Sequence, residues 1–470
     1  MVDIPDEDPL EVVVLCDVPH LLKAARNALM NNKEFMVPEQ MVKKYQLPSN
    51  KIKYSVIEKL IKFVSSKEMK IAPNLKKHFL KLNNFSKMNV DPAKYVLSRE
   101  AANAIRWCIK NYPQDFPAED ETTAHFCEMF SRFYDLGNSR SSSICYSKYN
   151  LERRCEMMSE FRDYYISLKL SSNQKEALKP SQKGVILSVN GLQWLAEFFI
   201  LKQKYDFFLP GRVSNDSIEN LHSVVRQYNR LPTPLMYRRY LKAIAMTQCL
   251  KPYSKGMAYE LDDSPDQTFL SDLSQAKKEL EDDEQEVVFN YFKNDDFKPE
   301  DFSEENSVAY FGGYILGHSI TEGKKHKKNR STCAICEEFL VAKPEDPEQE
   351  CNSLIKQREY IKGKEFLVYP SEMANKMFQI AEETFRRVRD SLFLENKNLK
   401  VRITNEVLTQ INLNVPMAPK CHLKLLFSRI VEARLNFWSE FTNGQIQSRY
   451  SSAMGSKSTA AEKVLSERKK

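Results

Sequence analysis

The 470-residue sequence has only 12 glycines and no GxxxxGK[ST] run, which argues against a P-loop as the means of holding a nucleotide phosphate. No internal repeat is visible. The chain opens without a basic n-region followed by an apolar h-region, and no apolar run approaches the length of a bilayer span, so a soluble intracellular protein is expected. Ten cysteines are scattered through it, the usage of a reducing compartment rather than of a disulfide scaffold. Paired metal ligands are scarce as well. Cys333 and Cys336 form one CxxC, with Cys351, His318 and His326 near in sequence, but the usual second CxxC or HxxxH is missing. A buried pair of thiols is therefore expected there, with zinc as the alternative.

What is present is a globular composition. Hydrophobic residues make up 42% of the chain, enough for two to four domains with sizeable cores. Seventy Lys and Arg against 63 Asp and Glu give a net charge of +7, compatible with a polyanionic partner. Much of the basic charge falls on Lys51, Lys53, Lys59, Lys62, Lys67, Lys70, Lys76, Lys77, Lys81 and Lys87, around an apolar stripe of Ile52, Val56, Leu60 and Phe63. That is a solvated helix face or a phosphate-contacting surface.

Two stretches carry acidic residues at the edges of regular elements. Val12 to Cys16 is a short apolar run rich in β-branched residues and reads as a buried strand ending in Asp17, followed by a helix on Leu21, Leu22, Ala25 and Leu29 with Pro19 in its first turn. Asp17 either caps that helix or offers a carboxylate to a metal. In GRVSNDSIENLHSVVR, residues 211–226, Asn215 and Asp216 can cap a helix whose Ile218, Leu221 and Val225 face a core, leaving Asp216, Glu219, Ser223 and Arg226 on the other side. Between these stretches the pattern is helical. A helix near Ser98 to Lys110 has Ser98 as N-cap, another spans Thr122 to Tyr134 and ends at Asp135–Leu136–Gly137–Asn138, and a third covers Leu187 to Phe199 around Trp194. Taken alone, Asp135 and Asn138 are turn residues.

CDVPHLLKAARN, FYDLGNSR and GRVSNDSIENLHSVVRQ, in this order, resemble the P-element and THAP-domain DNA transposases, as do YFGGYILG, the CxxC at Cys333 and LVYPSEMANKMFQIAEETFR. The resemblance runs from about Val12 to about Thr442. It implies an α/β plus all-α architecture: an RNase H-like core interrupted by a mainly helical GTP-binding insertion, then a helical C-terminal domain. The implied segments are residues 10–37 and 206–255 for the two parts of the core, 38–205 for the insertion, 256–306 for an acidic linker, 307–445 for the C-terminal domain and 446–470 for a polar tail. In that family three carboxylates hold Mg²⁺ for DNA cleavage and strand transfer. Asp17 matches the second and Glu219 the third, while no residue matches the first.

The resemblance further implies that Asp135, Asn138 and Asp216 contact a guanine base. Val90 and Ser98 stand at further nucleotide contacts, and Asn89 stands where a basic residue is expected. An acidic side chain suits guanine, because it can accept from the N1–H and N2–H edge that adenine lacks. No N-terminal Cys/His zinc module of the THAP kind is found, nor the strands that the family has ahead of the one at Val12 to Cys16. The chain is therefore read as an N-terminally incomplete, transposase-derived protein that is not catalytically competent alone, or else as a domesticated DNA-binding or regulatory protein. DNA, GTP and Mg²⁺ are the implied ligands, a homo-oligomer is open, and no membrane is involved. The basic run KKHKKNR, residues 324–330, is consistent with nuclear import or nucleic-acid contact, or with an exposed loop.

Overall fold

Apolar residues at helical spacing fold into helices along most of the chain, and strands are few. The computed structural model describes residues 13–82, 86–170, 177–229, 232–255, 302–322, 331–343, 349–359, 367–392 and 398–439. They divide into two compact units. The first comprises Met1–Phe208 together with Lys298–Lys470, and the second is Leu209–Phe297.

The first unit opens with α1 (Val18–Asn32), β1 (Glu34–Met36), α2 (Glu39–Tyr45), β2 (Lys51–Lys53) and α3 (Tyr54–Ser65). After two 3-10 turns come α4 (Asp91–Val96), α5 (Arg99–Asn111), α6 (Glu121–Gly137), β3 (Tyr146–Ser147), α7 (Leu151–Ser167), α8 (Pro180–Glu197) and β4 (Phe207–Phe208). β1 and β2 pair antiparallel with Phe35 opposite Ile52, and β3 pairs with β4. Ile52 thus belongs to a strand, and the α3 stripe is made by Val56, Ile57, Leu60, Ile61 and Val64. Leu22, Ala25 and Leu29 of α1, Phe126, Phe130 and Phe133 of α6, and Phe161 and Tyr165 of α7 meet in one core. Its aromatic rings interlock, with Phe133 stacked on Phe161 at 4.3 Å and Phe130 edge-on to both Phe161 and Tyr165 at 5.0 Å.

The run expected as a strand is not one. Val13 to Cys16 has no ladder partner among the described residues and lies on α8. A side chain at Gly191 would strike Leu15 and Val13, and one at Gly184 would strike Leu21 and approach Cys16. Ser188, on the same face, accepts from the Cys16 N–H at 3.0 Å and donates to its C=O at 2.6 Å. A single hydroxyl thus satisfies both polar groups of a backbone residue that a neighbouring strand would otherwise pair. α8 also corrects the expectation about apolar runs. Pro180–Lys202 is 23 residues long with a mean hydropathy of 1.5, long and apolar enough to cross a bilayer. Here Val185, Val189, Leu192 and Ala196 are buried against the core, and Trp194, expected inside, is half-buried and stacked on Phe198.

The first unit continues with α11 (Phe302–Ser319), β5 (Thr321–Glu322), β6 (Ser331–Thr332), α12 (Ala334–Leu340), α13 (Ser353–Arg358), α14 (Glu372–Leu392), α15 (Leu399–Asn414) and a last helix, α16, at 423–439. The second unit contributes α9 (Asp216–Tyr228) and α10 (Pro234–Lys255). A second core joins Leu316, Met377, Phe378, Phe385, Ile403, Val407 and Phe427. Met69 from the N-terminal part enters this second core, and Leu354 from the C-terminal part enters the first.

A buried ion network crosses the same boundary. Glu68 pairs with Arg389 and, at 2.6 Å, with Arg434. Glu382 receives Arg434 at 2.6 Å and Arg386 at 2.7 Å, while Glu304 receives Arg386 at 3.0 Å and the backbone N–H groups of Glu68 and Met69. Three carboxylates face three guanidiniums, so the cluster is neutral and each charge has partners, the condition for tolerating burial. Glu304 and Asn306, placed by sequence in an acidic linker, are buried in α11. Residues 256–301, the basic run at 324–330 and the tail at 446–470 lie outside the described residues.

In the second unit α9 and α10 pack together through His222 Nδ1 and the Tyr237 hydroxyl at 2.9 Å, and Tyr228 stacks on Tyr240 at 5.0 Å. The expected apolar stripe is only partly buried. Val225 is inside, Leu221 is half-buried and Ile218 is 57% exposed.

Candidate functional site

Asp17 ends the extended segment on α8 and caps α1. Its carboxylate accepts from the His20 backbone N–H at 3.4 Å and lies 2.7 Å from His20 Nδ1. Pro19 occupies the first turn, where its missing N–H costs nothing. The capping role open from the sequence is therefore realised, and an imidazole shares the same oxygen.

The second acidic position lies at the end of α6. Arg106 of α5 bridges Glu121 at 2.9 Å and Glu128 at 2.7 Å, which fixes α5 along α6. Gly137, in the last turn, lies against α1, since an added Cβ would sit 3.0 Å from a Val18 methyl. Its part here is close approach rather than a left-handed turn. This packing sets Asp135 and Asn138 at the helix end, three residues apart on one face.

Asp135 accepts from the Ser131 hydroxyl at 3.1 Å, and burial raises its pKa while Ser131, Arg99 and Lys94 pull it back. Asn138 donates from Nδ2 to the Tyr134 hydroxyl at 3.2 Å. Its Oδ1 is buried with no hydrogen-bond partner among the described residues. Two acceptors at this helix end are thus held in partly dry surroundings, one engaged by a single hydroxyl and the other orphaned. An orphaned buried acceptor is costly, typically about 1–3 kcal/mol, unless a ligand or water completes it.

Ser98 is the N-cap of α5, as its position suggested. Its hydroxyl accepts from the Ala101 N–H at 3.0 Å and donates its one proton to the Tyr95 carbonyl at 2.7 Å. It therefore cannot donate to a phosphate without breaking that bond. Val90 is half-buried at the N-cap of α4, and its carbonyl accepts from Ala93 and Lys94, both at 2.9 Å. Asn89 is exposed. The cations near Asp135 are instead Lys94 and Arg99, which sequence reasoning missed although Arg99 directly follows the recognised cap. Asp216 opens α9 in the second unit, and Glu219 is exposed one turn further on. Asp135 and Asn138 thus stand together at one helix end, while Asp17 belongs to the first unit and Glu219 to the second.

Residues 19–149 match the family model described as TNP-like, GTP-binding insertion domain, and residues 300–428 match that of DNA transposase THAP9, C-terminal domain. The transposable element P transposase of Drosophila melanogaster is 23% identical over 416 residues, covering 84% of this chain and 51% of that protein. The chain belongs to the P-element/THAP-type transposase family. It spans about half the length of the curated relative it matches. Among solved structures, the Drosophila P element transposase strand transfer complex is similar at 20% identity with a TM-score of 0.44, over 53% of this chain and 54% of that one. In this P-element/THAP-type chain the matched insertion segment contains Val90, Ser98, Asp135 and Asn138. Asp17 falls just before it, and Asp216 and Glu219 lie outside both matched segments.

Proposed function

We propose that the helical insertion binds a guanine nucleotide, with Asp135 and Asn138 reading the base, in a transposase-derived nuclear protein that binds DNA. The observation that carries this reading is the orphaned Oδ1 of Asn138 beside the Asp135 carboxyl group. Guanine offers two adjacent donors, N1–H and N2–H, and adenine presents no such edge. Asp216, the third base contact that the family resemblance implies, belongs to the other unit and is not used in this reading. Lys94 and Arg99 supply the positive charge for phosphates that Val90, Ser98 and Asn89 lack. In a titration of the purified chain by fluorescence anisotropy, labelled GTP binds at least tenfold more tightly than labelled ATP, and Asp135→Ala removes the difference. Equal affinity for the two nucleotides in the wild-type chain refutes the proposal.

DNA contact is supported by a group of cations next to α3. Lys76, Lys77 and Lys81 are exposed, and Lys70 and His78 both have pKa values lowered by burial and then by the nearby Lys76 charge. Cations that repel one another in this way gain from a polyanion that neutralises them. Lys51 and Lys59, by contrast, are paired with Glu34 and Asp120. Arg386 and Arg389 are used in the buried network, and Arg387 faces Glu406 at 3.6 Å.

Chemistry on DNA would fall to Asp17 and Glu219, the family's Mg²⁺ ligands. The residues present do not fit a complete two-metal centre. Hard Mg²⁺ takes oxygen ligands, whereas the Asp17 oxygen is shared with an imidazole nitrogen, and the family's first carboxylate has no match within these 470 residues. The reading favoured is a DNA-binding polypeptide that does not by itself cleave or join strands.

A further inference from the structure

We propose that Cys333, Cys336, Cys421 and His422 form a structural zinc site in the C-terminal helical region. The four side chains come from two places far apart in sequence. Cys333 follows β6 and is the N-cap of α12, where its backbone N–H donates to Ile320 at 3.0 Å, and Cys336 lies one turn into that helix. Cys421 and His422 immediately precede α16, whose first turn closes on the His422 carbonyl at 2.9 Å.

One ligand atom from each residue lies within 4.8 Å of all the others. Cys333 Sγ is 3.8 Å from Cys421 Sγ, Cys336 Sγ is 3.1 Å from Cys421 Sγ, and Cys336 Sγ is 3.4 Å from His422 Nδ1. Tetrahedral zinc, with Zn–S near 2.3 Å and Zn–N near 2.0 Å, sets neighbouring ligands about 3.8 Å apart for two sulfurs and about 3.5 Å for sulfur and nitrogen. Two of the three separations agree closely with this. The third is shorter than a zinc thiolate pair but far longer than a disulfide bond of about 2.05 Å.

Three sulfurs and one imidazole are a donor set that selects zinc over Mg²⁺ or Ca²⁺. All four positions are filled by protein, which describes a structural rather than a catalytic ion. Cys336 is fully buried in the second core, Cys333 and His422 are half-buried and Cys421 is exposed, so the cluster sits where a core meets solvent. A buried thiol pair, as the CxxC alone suggests, would not require Cys421 and His422 to converge on it from another helix. The ion would tie the β6–α12 segment to the start of α16 and so close a loop that contains α13, α14 and α15. Cys351 takes no part in the cluster, lying 3.6 Å from the Gln349 side-chain oxygen.

The test is metal analysis of the full chain purified under reducing conditions without chelator. Inductively coupled plasma mass spectrometry should find roughly one zinc per chain, as a closed four-ligand site requires. Cys336→Ser and Cys421→Ser should retain less than half of it, and Cys351→Ser should retain all. Should the serine variants fold poorly, His422→Cys keeps four ligands and should still bind the ion. Cobalt added to the metal-stripped wild-type chain should give the intense visible bands of a tetrahedral thiolate complex. Absence of stoichiometric zinc together with no cobalt spectrum overturns the proposal. So does undiminished metal in Cys421→Ser, or a Cys336–Cys421 disulfide in the alkylated chain.

Discussion

Replacing Glu382 by Gln removes the central carboxylate of the buried network while keeping the shape of the side chain. Glu382 is held by Arg434 and Arg386, and although burial pushes its pKa up, these two guanidiniums more than offset it and lower the pKa to about 2 from an ordinary 4.5. A lowering from 4.5 to about 2 corresponds to about 3 kcal/mol of stability at neutral pH. The folded-state pKa lies below the unfolded one, so this contribution is fully present above about pH 5.5. It declines as the pH falls through 4.5 toward 2, and at pH 3 linkage leaves less than half of it. Glu382→Gln also strands Arg434, which places its total cost at neutral pH at about 3–5 kcal/mol. Urea unfolding followed by tryptophan fluorescence, which samples Trp107, Trp194 and Trp438 in the first unit, measures the gap between wild type and variant. The gap should shrink by about 2 kcal/mol between pH 7 and pH 3. A gap that is the same at both pH values would show that the Glu382 charge does not stabilise its pairing with Arg386 and Arg434.

Ser188→Ala should lower stability by about 1–3 kcal/mol, since it leaves the Cys16 N–H and C=O without their shared partner. A change in melting temperature no larger than that of an exposed serine substitution would contradict the docking of residues 13–16 on α8. Binding of duplex DNA should weaken steeply with salt, and Lys76→Ala and Lys77→Ala should each reduce the slope of log K against log salt by about 1. An unchanged slope in the double variant would move the DNA surface elsewhere.

Much of the local structure was legible because single residues decide it. Ser98 as a cap, the α6 helix ending at Asp135 to Asn138, and the helix on Leu21, Leu22, Ala25 and Leu29 each follow from spacing or capping chemistry, and the structure has them. The misread elements share a physical cause: their partners are remote. Val13 to Cys16 has strand composition, yet periodicity cannot distinguish pairing with a strand from docking on the Gly184–Ser188–Gly191 face of a helix. Glu304 reads as linker charge until Arg386, 82 residues away, neutralises it. Cys421 and His422 form a dipeptide without motif character, 85 residues or more from Cys336. At the candidate site, Asp135 and Asn138 are turn residues by chemistry alone, and resemblance to a family rather than spacing singled them out. Lys94 and Arg99 became visible only once α4 and α5 were packed against α6.

The measurement that bears most directly on the guanine-binding claim is calorimetry of Asp135→Asn with GTP and with xanthosine triphosphate. Xanthine carries an acceptor oxygen where guanine carries its amino group, so an asparagine amide, which donates, should prefer it as the carboxylate prefers guanine. The wild-type chain should bind GTP and reject the xanthine nucleotide, and the variant should do the reverse, each by at least tenfold. If Asp135→Asn keeps the wild-type order of affinities, Asp135 does not touch the base and the account of the site is wrong.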